Sequence, residues 1–311
     1  MLLSAKSLCR TTLTRNLPGR EDMTEKVFLQ YTKDQLDHNY DQRAWAKNAD
    51  EVVARYVSRS AEARSTLHCD LDIAYGPGAD DRLDWFHAGK ANAPVVIFIH
   101  AGAWRNFNKG DFSFVASSFV AHGCHVVVLN FSKAPAVRVP VILDQVRNGI
   151  AWVYRNLGRF GADPARVFVA GHSSGAYTTS MMLLTDWSRN GLLQGRIFRA
   201  AFCISGTYDL KPIILSARGS YIHLEGSEEH DLSPIRHLRR ANTRVMVAHC
   251  EGDTDEFQRH SREFAAALEE RGLLLESIRL PSINHFEIIE AFADSSSPLN
   301  AKVLGYIARS A

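Results

Sequence analysis

Hydrophobic and polar positions fall into three successive textures along the chain. Residues 32–64 carry Leu36, Tyr40, Trp45, Val52, Val53 and Tyr56 at helical spacings among charged residues. That pattern predicts one or two amphipathic helices, a helical N-terminal extension lying on a main domain. CDLDIAYG (69–76) and RLDWFHA (82–88) then alternate polar and apolar positions around the turn-rich PGADD, as a β-hairpin does. From residue 94 the apolar runs become continuous: PVVIFIH (94–100), HVVVLNF (125–131), RVFVAG (166–171), RAAFCIS (199–205) and RVMVAHC (244–250). LLLESIRL (273–280) is a less uniform sixth strand.

Continuous apolar strands are what a parallel sheet covered on both faces requires. Helical patterns at 112–122, 140–158, 175–187 and 255–271 alternate with them. The fold class expected is therefore α/β, a mostly parallel central sheet with helices on both faces. Residues 207–240 break the rhythm between two strands and read as a cap or lid insertion. Residues 23–311 accordingly read as one domain.

Composition narrows the class without changing this picture. The chain has 311 residues, of which 46% are apolar and 23% charged, so disordered and fibrous classes are excluded. Its net charge of +2 lies in residues 1–22, where Lys6, Arg10, Arg15 and Arg20 face only Glu21 and Asp22. The rest of the chain is balanced, which argues against nucleic-acid and membrane partners. A small-molecule substrate is expected, and a homodimer is compatible with the sequence. Residues 1–22 read as a leader or an over-long start, dispensable to the fold. Cytoplasmic residence is expected, or mitochondrial if that segment acts as a transit peptide. Cys9, Cys69, Cys124, Cys203 and Cys250 are widely spaced with no C-x-x-C pair, and read as free thiols. No metal or cofactor motif stands out, so neither is expected.

Gly171-His172-Ser173-Ser174-Gly175 matches G-x-S-x-G. The pattern alone is weak, arising by chance in about one chain in ten of this length. Its placement is stronger, because it follows the strand RVFVAG directly and opens the helix AYTTSMMLL. A strand-to-helix turn there holds the Ser173 oxygen at a helix N-terminus, where developing negative charge is favoured. Upstream, the strand VVIFIH runs into His100-Ala101-Gly102-Ala103-Trp104. A small-residue loop there can aim the N–H groups of Gly102 and Ala103 at an oxyanion, with the N–H of Ser174 as a third donor. His100 and His172 read as braces for these turns.

A serine hydrolase of this order places its acid and then its base later in the chain. Asp253, Asp255 and Glu256 all follow the strand RVMVAHC, and the residues alone do not choose among them. His285, the last of 13 histidines, is the one in the C-terminal loop where the base belongs.

HAGAW, GHSSGA, GDTDEFQRHSREF and NHFEIIE, in that order, resemble the kynurenine formamidase (arylformamidase) branch of the α/β-hydrolases. The likeness runs from about Tyr31 to Ile289. In that branch the acid opens a D-x-x-E-F-x-x-x-S run and the base sits in an x-H-F-E block. The resemblance therefore implies Asp253 as acid, ahead of Asp255, and His285 as base. The family's loop usually reads H-G-G-x-W, and here Ala101 replaces the first glycine. The family often has a proline where Asp255 stands.

The implied function is a cofactor-independent serine hydrolase of small acyl compounds, with an aryl formamide such as N-formylkynurenine as first substrate. A carboxylesterase, lactonase or carbamate hydrolase would use the same residues, and a binding protein on a silent hydrolase fold is the remote alternative. Trp104, Tyr177 and Tyr208 are expected to line the substrate pocket. Tyr40 and Trp45 are weighed as pocket closers against core packing, and Arg218, Tyr221 and Arg236 as carboxylate ligands against surface salt bridges.

Overall fold

The computed structural model describes residues 25–192 and 197–310. The expected leader (1–22) and Cys9 lie outside the described residues. A short hairpin, β1 (Lys26–Phe28) and β2 (Tyr31–Thr32), leads into α1 (Lys33–Tyr40), α2 (Gln42–Trp45) and α3 (Ala49–Thr66). Thr32 starts α1 with a reciprocal capping box to Gln35.

There follow β3 (Cys69–Ala74), β4 (Arg82–Phe86), β5 (Ala93–Ile99), α4 (Ala116–Ala121), β6 (His125–Leu129), α5 (Val139–Asn156), β7 (Ala162–His172), α6 (Ser174–Met182) and β8 (Ala200–Ile204). The segment after β8 holds α7 (Lys211–Leu215), a 3₁₀ turn at Ala217–Ser220, α8 (Glu228–Asp231) and a 3₁₀ stretch at Pro234–Arg240. The chain ends with β9 (Val245–Gly252), α9 (Asp255–Glu269), β10 (Leu274–Asn284), α10 (Glu287–Phe292) and α11 (Pro298–Arg309).

Eight strands form one sheet in the order β10-β9-β8-β7-β5-β6-β4-β3. The pairs from β10 through β6 are parallel, and β4 and β3 add antiparallel to the edge. Strand periodicity sends alternate residues to opposite faces. Val95, Ile97 and Ile99 of β5 enter the core layer under α5, α6 and α9, while Val96 and Phe98 enter the layer under α3, α4, α10 and α11. Both layers are filled by apolar side chains, which is why the central strands are apolar at every position. Fully burying each such side chain is worth about 1.5–3 kcal/mol.

Two expectations need correction. The helix expected over 112–122 is a 3₁₀ stretch, Lys109–Val115, followed by α4. Phe112, Ser113, Phe114 and Val115 are buried consecutively, so the segment is packed on all sides, and Asn108 starts it with a reciprocal capping box to Asp111. The N-terminal segment forms three helices, because Asp41 both ends α1 and caps α2. Among the described residues no helix is long and apolar enough to cross a membrane. Cys69, Cys124, Cys203 and Cys250 are free.

Candidate active site

The C-terminal ends of β5, β7 and β9 converge beside the loop that leaves β10. Between β7 and α6 the chain turns at Ser173, which adopts φ +57° and ψ −121°. That is a strained conformation for a residue with a side chain. The two flanking glycines are required by crowding. A Cβ on Gly171 would lie 2.2 Å from the carbonyl oxygen of Gly175, and one on Gly175 would lie 2.1 Å from that of Ile99.

Ser173 Oγ lies 3.0 Å from His285 Nε2, and His285 Nδ1 lies 2.6 Å from Asp253 Oδ1. These partners assign the tautomer: Nδ1–H donates to the carboxylate, and Nε2 accepts from the serine. Asp253 is fully buried. Its Oδ2 accepts from Ser205 Oγ at 2.6 Å and from the Cys250 N–H at 2.9 Å. Burial alone would push its pKa up, but the hydrogen bond and charge of His285, with the Cys250 and Ser205 donors, hold it below the ordinary carboxylate value. The other two acids are elsewhere. Asp255 is exposed in the first turn of α9. Glu256 is buried against Arg259 at 2.8 Å.

The loop after β5 approaches the same serine. Gly102 has φ +124°, and a Cβ there would meet the Asn106 carbonyl oxygen at 2.0 Å. Ala103 and Trp104 also have positive φ, +53° and +58°. The N–H groups of Arg105 and Asn106 both donate to the Gly102 carbonyl, at 2.9 and 2.8 Å, and close the turn. The N–H of Trp104 reaches Ser174 Oγ at 3.4 Å, tying loop to elbow. The N–H groups of Gly102 and Ala103 have no hydrogen-bond partner among the described residues. The N–H of Ser174 opens α6 and has no intrahelical acceptor.

Two buried histidines fasten this arrangement. His100 Nδ1 donates to the Ala101 carbonyl at 2.7 Å, and its ring stacks on Phe131 at 4.2 Å. His172 Nε2 donates to the His285 carbonyl at 2.9 Å. Burial pushes their pKa values down to about 4 and about 3 respectively, with the neighbouring His285 adding to the effect on His172. Both rings are therefore neutral donors.

A cavity of about 830 Å3 opens above Ser173 and His285, with Gly102 and Ala103 in its wall. Its aromatic lining is Tyr40, Tyr56, Phe107, Phe112, Tyr221 and Phe286. The expected lining of Trp104, Tyr177 and Tyr208 is corrected, since none of the three borders it. Trp104 packs edge-on to Tyr177 at 5.0 Å, the Tyr177 hydroxyl donates to the Leu232 carbonyl at 2.9 Å, and Tyr208 stacks on Phe264 at 3.8 Å. All three turn into the apolar layer beneath the cavity floor.

Of the residues weighed in the flanking segments, Tyr40, Arg218 and Tyr221 line the cavity. Trp45 instead packs on His38, and Arg236 pairs with Asp209 and Glu229. Tyr56, Phe107, Phe112 and Phe286 were not anticipated. Phe107 and Phe286 sit within a few residues of the recognised motifs, which is the signal that could have found them. A possible metal donor group, His230, Asp231 and His237, lies on the exposed surface of the segment after β8. One of its nitrogens, His237 Nε2, already donates to the His230 carbonyl.

Residues 144–309 match the prolyl oligopeptidase family, and residues 84–201 match the BD-FAE family. The chain is 30% identical over 296 residues to a kynurenine formamidase of Danio rerio, covering 90% of this chain and 98% of that one. It is 29% identical over 239 residues to the esterase LipQ of Mycobacterium tuberculosis, covering 69% of this chain and 56% of that one. Among solved structures, a thioesterase candidate from Silicibacter superposes with a TM-score of 0.75 at 23% identity, covering 86% of this chain and 98% of that one.

Proposed function

The chain belongs to the α/β-hydrolase superfamily, in its kynurenine formamidase branch, and is a hydrolase; from that premise we propose that it is a cofactor-independent serine hydrolase acting on small aryl formamides through an acyl-enzyme. The observation that carries the reading is the continuous hydrogen-bonded chain Ser173–His285–Asp253, opening into a cavity whose wall includes Gly102 and Ala103.

In this reading His285 removes the Ser173 proton as Oγ attacks the formyl carbon. The carbonyl oxygen gains the electron pair and is held by the N–H groups of Gly102, Ala103 and Ser174. Asp253 holds the imidazole tautomer and stabilises the imidazolium. The C–N bond then breaks, and His285 Nε2–H protonates the departing amine. Water, deprotonated by the same His285, hydrolyses the formyl-serine and releases formate. The six aromatic side chains around the cavity suit an aryl leaving group.

An ester would engage the same atoms. The feature favouring that second reading is Ala101, whose side chain stands in the cavity wall where the family usually has glycine. The deciding experiment compares kcat/KM for N-formylkynurenine and p-nitrophenyl acetate in wild type and Ser173→Ala. The formamide should lead by orders of magnitude, and Ser173→Ala should abolish both. Turnover of the ester alone would transfer the assignment to a carboxylesterase.

A further inference from the structure

Two arginines border the cavity without an acidic partner among the described residues. Arg218 lies in the 3₁₀ turn after α7, and its Nε and Nη2 both donate to the Tyr40 carbonyl, at 3.1 and 2.8 Å. Its guanidinium lies over the rings of Tyr40 and Phe257, 5.4 and 5.5 Å from their centroids. Neither a carbonyl nor a ring face neutralises a full charge. Burial draws its pKa down, offset in part by Tyr221, Tyr40 and Asp41, yet a guanidinium remains charged at any physiological pH. Arg105 leaves the loop that carries Gly102 and Ala103, is exposed, and lies 5.1 Å over the ring of Tyr221.

The other charged groups around the cavity are already engaged. Arg43 pairs with Asp50. Asp37 pairs with Lys33 at 2.6 Å, and Asp41 accepts from the N–H of Arg43 at 3.1 Å, capping α2. Asp41 makes no ion pair with either arginine among the described residues. One layer further in, Arg259 has Glu256 and Glu263. Removing an unpaired charge from water is costly unless an anion meets it. The Nη1 of Arg218 makes no hydrogen bond among the described residues, and its residue lines the space that Ser173 also lines.

We propose that Arg218 and Arg105 bind a carboxylate on the leaving-group side of the substrate, making this hydrolase selective for carboxylate-bearing aryl compounds over counterparts that lack the carboxylate. A carboxylate accepts hydrogen bonds from a guanidinium fork in fixed geometry, and such charge-assisted contacts are about twice as strong as neutral ones. Tyr221, which lines the cavity with both arginines, holds Arg105 on its ring face. N-formylkynurenine carries a carboxylate of this kind on the arm remote from the formamide. The proposal rests on the hydrolase reading and specifies which aryl formamides and esters the site prefers.

The test uses two matched pairs: N-formylkynurenine against its methyl ester, and 3-carboxyphenyl acetate against phenyl acetate. The readout is the ratio of kcat/KM for formate or acetate release, carboxylate-bearing to carboxylate-free, within each pair. The wild type should favour the carboxylate-bearing member of each pair. Arg218→Gln should lower that ratio about 10- to 100-fold, chiefly through KM, the size expected for losing a hydrogen bond to a charged group. Arg105→Gln, at an exposed position that cannot compromise folding through burial, should lower it by less, and Arg218→Lys should restore part of it. Unchanged ratios in both glutamine variants would overturn the proposal. A fall confined to the acetate pair, with the formamides inert in wild type, would support the arginine pair while overturning the formamide assignment.

Discussion

Asp253 is buried completely and yet ionised, because each of its oxygens meets a donor: His285 on one, Ser205 and Cys250 on the other. That environment separates it from Asp255, two residues away and exposed. Asp253→Asn should lower kcat by about four orders of magnitude through the wrong imidazole tautomer, whereas Asp255→Asn should stay within about threefold, as surface substitutions usually do. Steady-state kinetics of the two variants on one substrate checks this, and the reverse order would reassign the acid. The serine and the histidine were legible in the sequence from local pattern and chain order. That Asp253 is the carboxyl beside His285 was legible only through family resemblance, since three carboxyls follow one strand and nothing local says which reaches inward. The aromatic lining was misjudged at Trp104, Tyr177 and Tyr208. Proximity to a motif in sequence does not say which side of the sheet end a side chain faces. Tyr56, on a helix some 230 residues before His285, lines the cavity for reasons that only the tertiary fold contains.

At the level of elements, the site depends on places where a Cβ cannot fit. Gly175 packs against the end of β5, so an added methyl would push the elbow away from the loop that bears Gly102 and Ala103. Gly175→Ala should therefore destabilise the protein by about 1–3 kcal/mol, as overpacking does, and remove most activity even where folded protein is recovered. Urea unfolding beside an activity assay would check both parts; a variant with wild-type turnover would show that the elbow tolerates displacement. Gly102 is needed for a second reason, its positive φ. The strands and most helices of the α/β sheet were legible because burial on both faces leaves continuous apolar runs. The 3₁₀ stretch at Lys109–Val115 was not, since residues buried on every side show no period that separates a 3₁₀ turn from the α-helix it leads into. The subdivision of the N-terminal segment turns on one residue, Asp41, whose side chain caps α2 in the middle of an apolar period.

Over the whole molecule, the N-terminal helices and the C-terminal segment hold each other. Asn48, at the start of α3, exchanges hydrogen bonds with Asn284 and Glu287 on either side of His285, at 2.8 Å each. Arg55 and Arg59 both pair with Glu290, and the Tyr56 hydroxyl donates to the Phe286 carbonyl. The extension thus borders the cavity and braces the segment that carries His285. Neutral buried histidines give the molecule a distinctive acid response. Burial pushes His100 and His172 down to about 4 and about 3, and also holds His260 well below its ordinary value. Unfolded histidines titrate near 6.5, so below that pH the unfolded chain binds the extra protons, and each histidine removes about 1.4 kcal/mol of stability per pH unit down to its folded value. Asp253 acts in the other window. Its depressed pKa makes a contribution that is fully present above the ordinary carboxylate value of about 3.9 and lost only below it. Denaturant unfolding should therefore show a loss of several kcal/mol between pH 7 and pH 5; a flat profile over that range would mean that the three rings are not held neutral.

The account stands on Ser173 being a nucleophile activated by His285. The most direct measurement is intact-mass and peptide mapping after exposure to a fluorophosphonate. The account predicts one adduct per chain, on Ser173, absent in Ser173→Ala and formed orders of magnitude more slowly in His285→Gln. An unmodified Ser173, or an adduct on another residue, would contradict it.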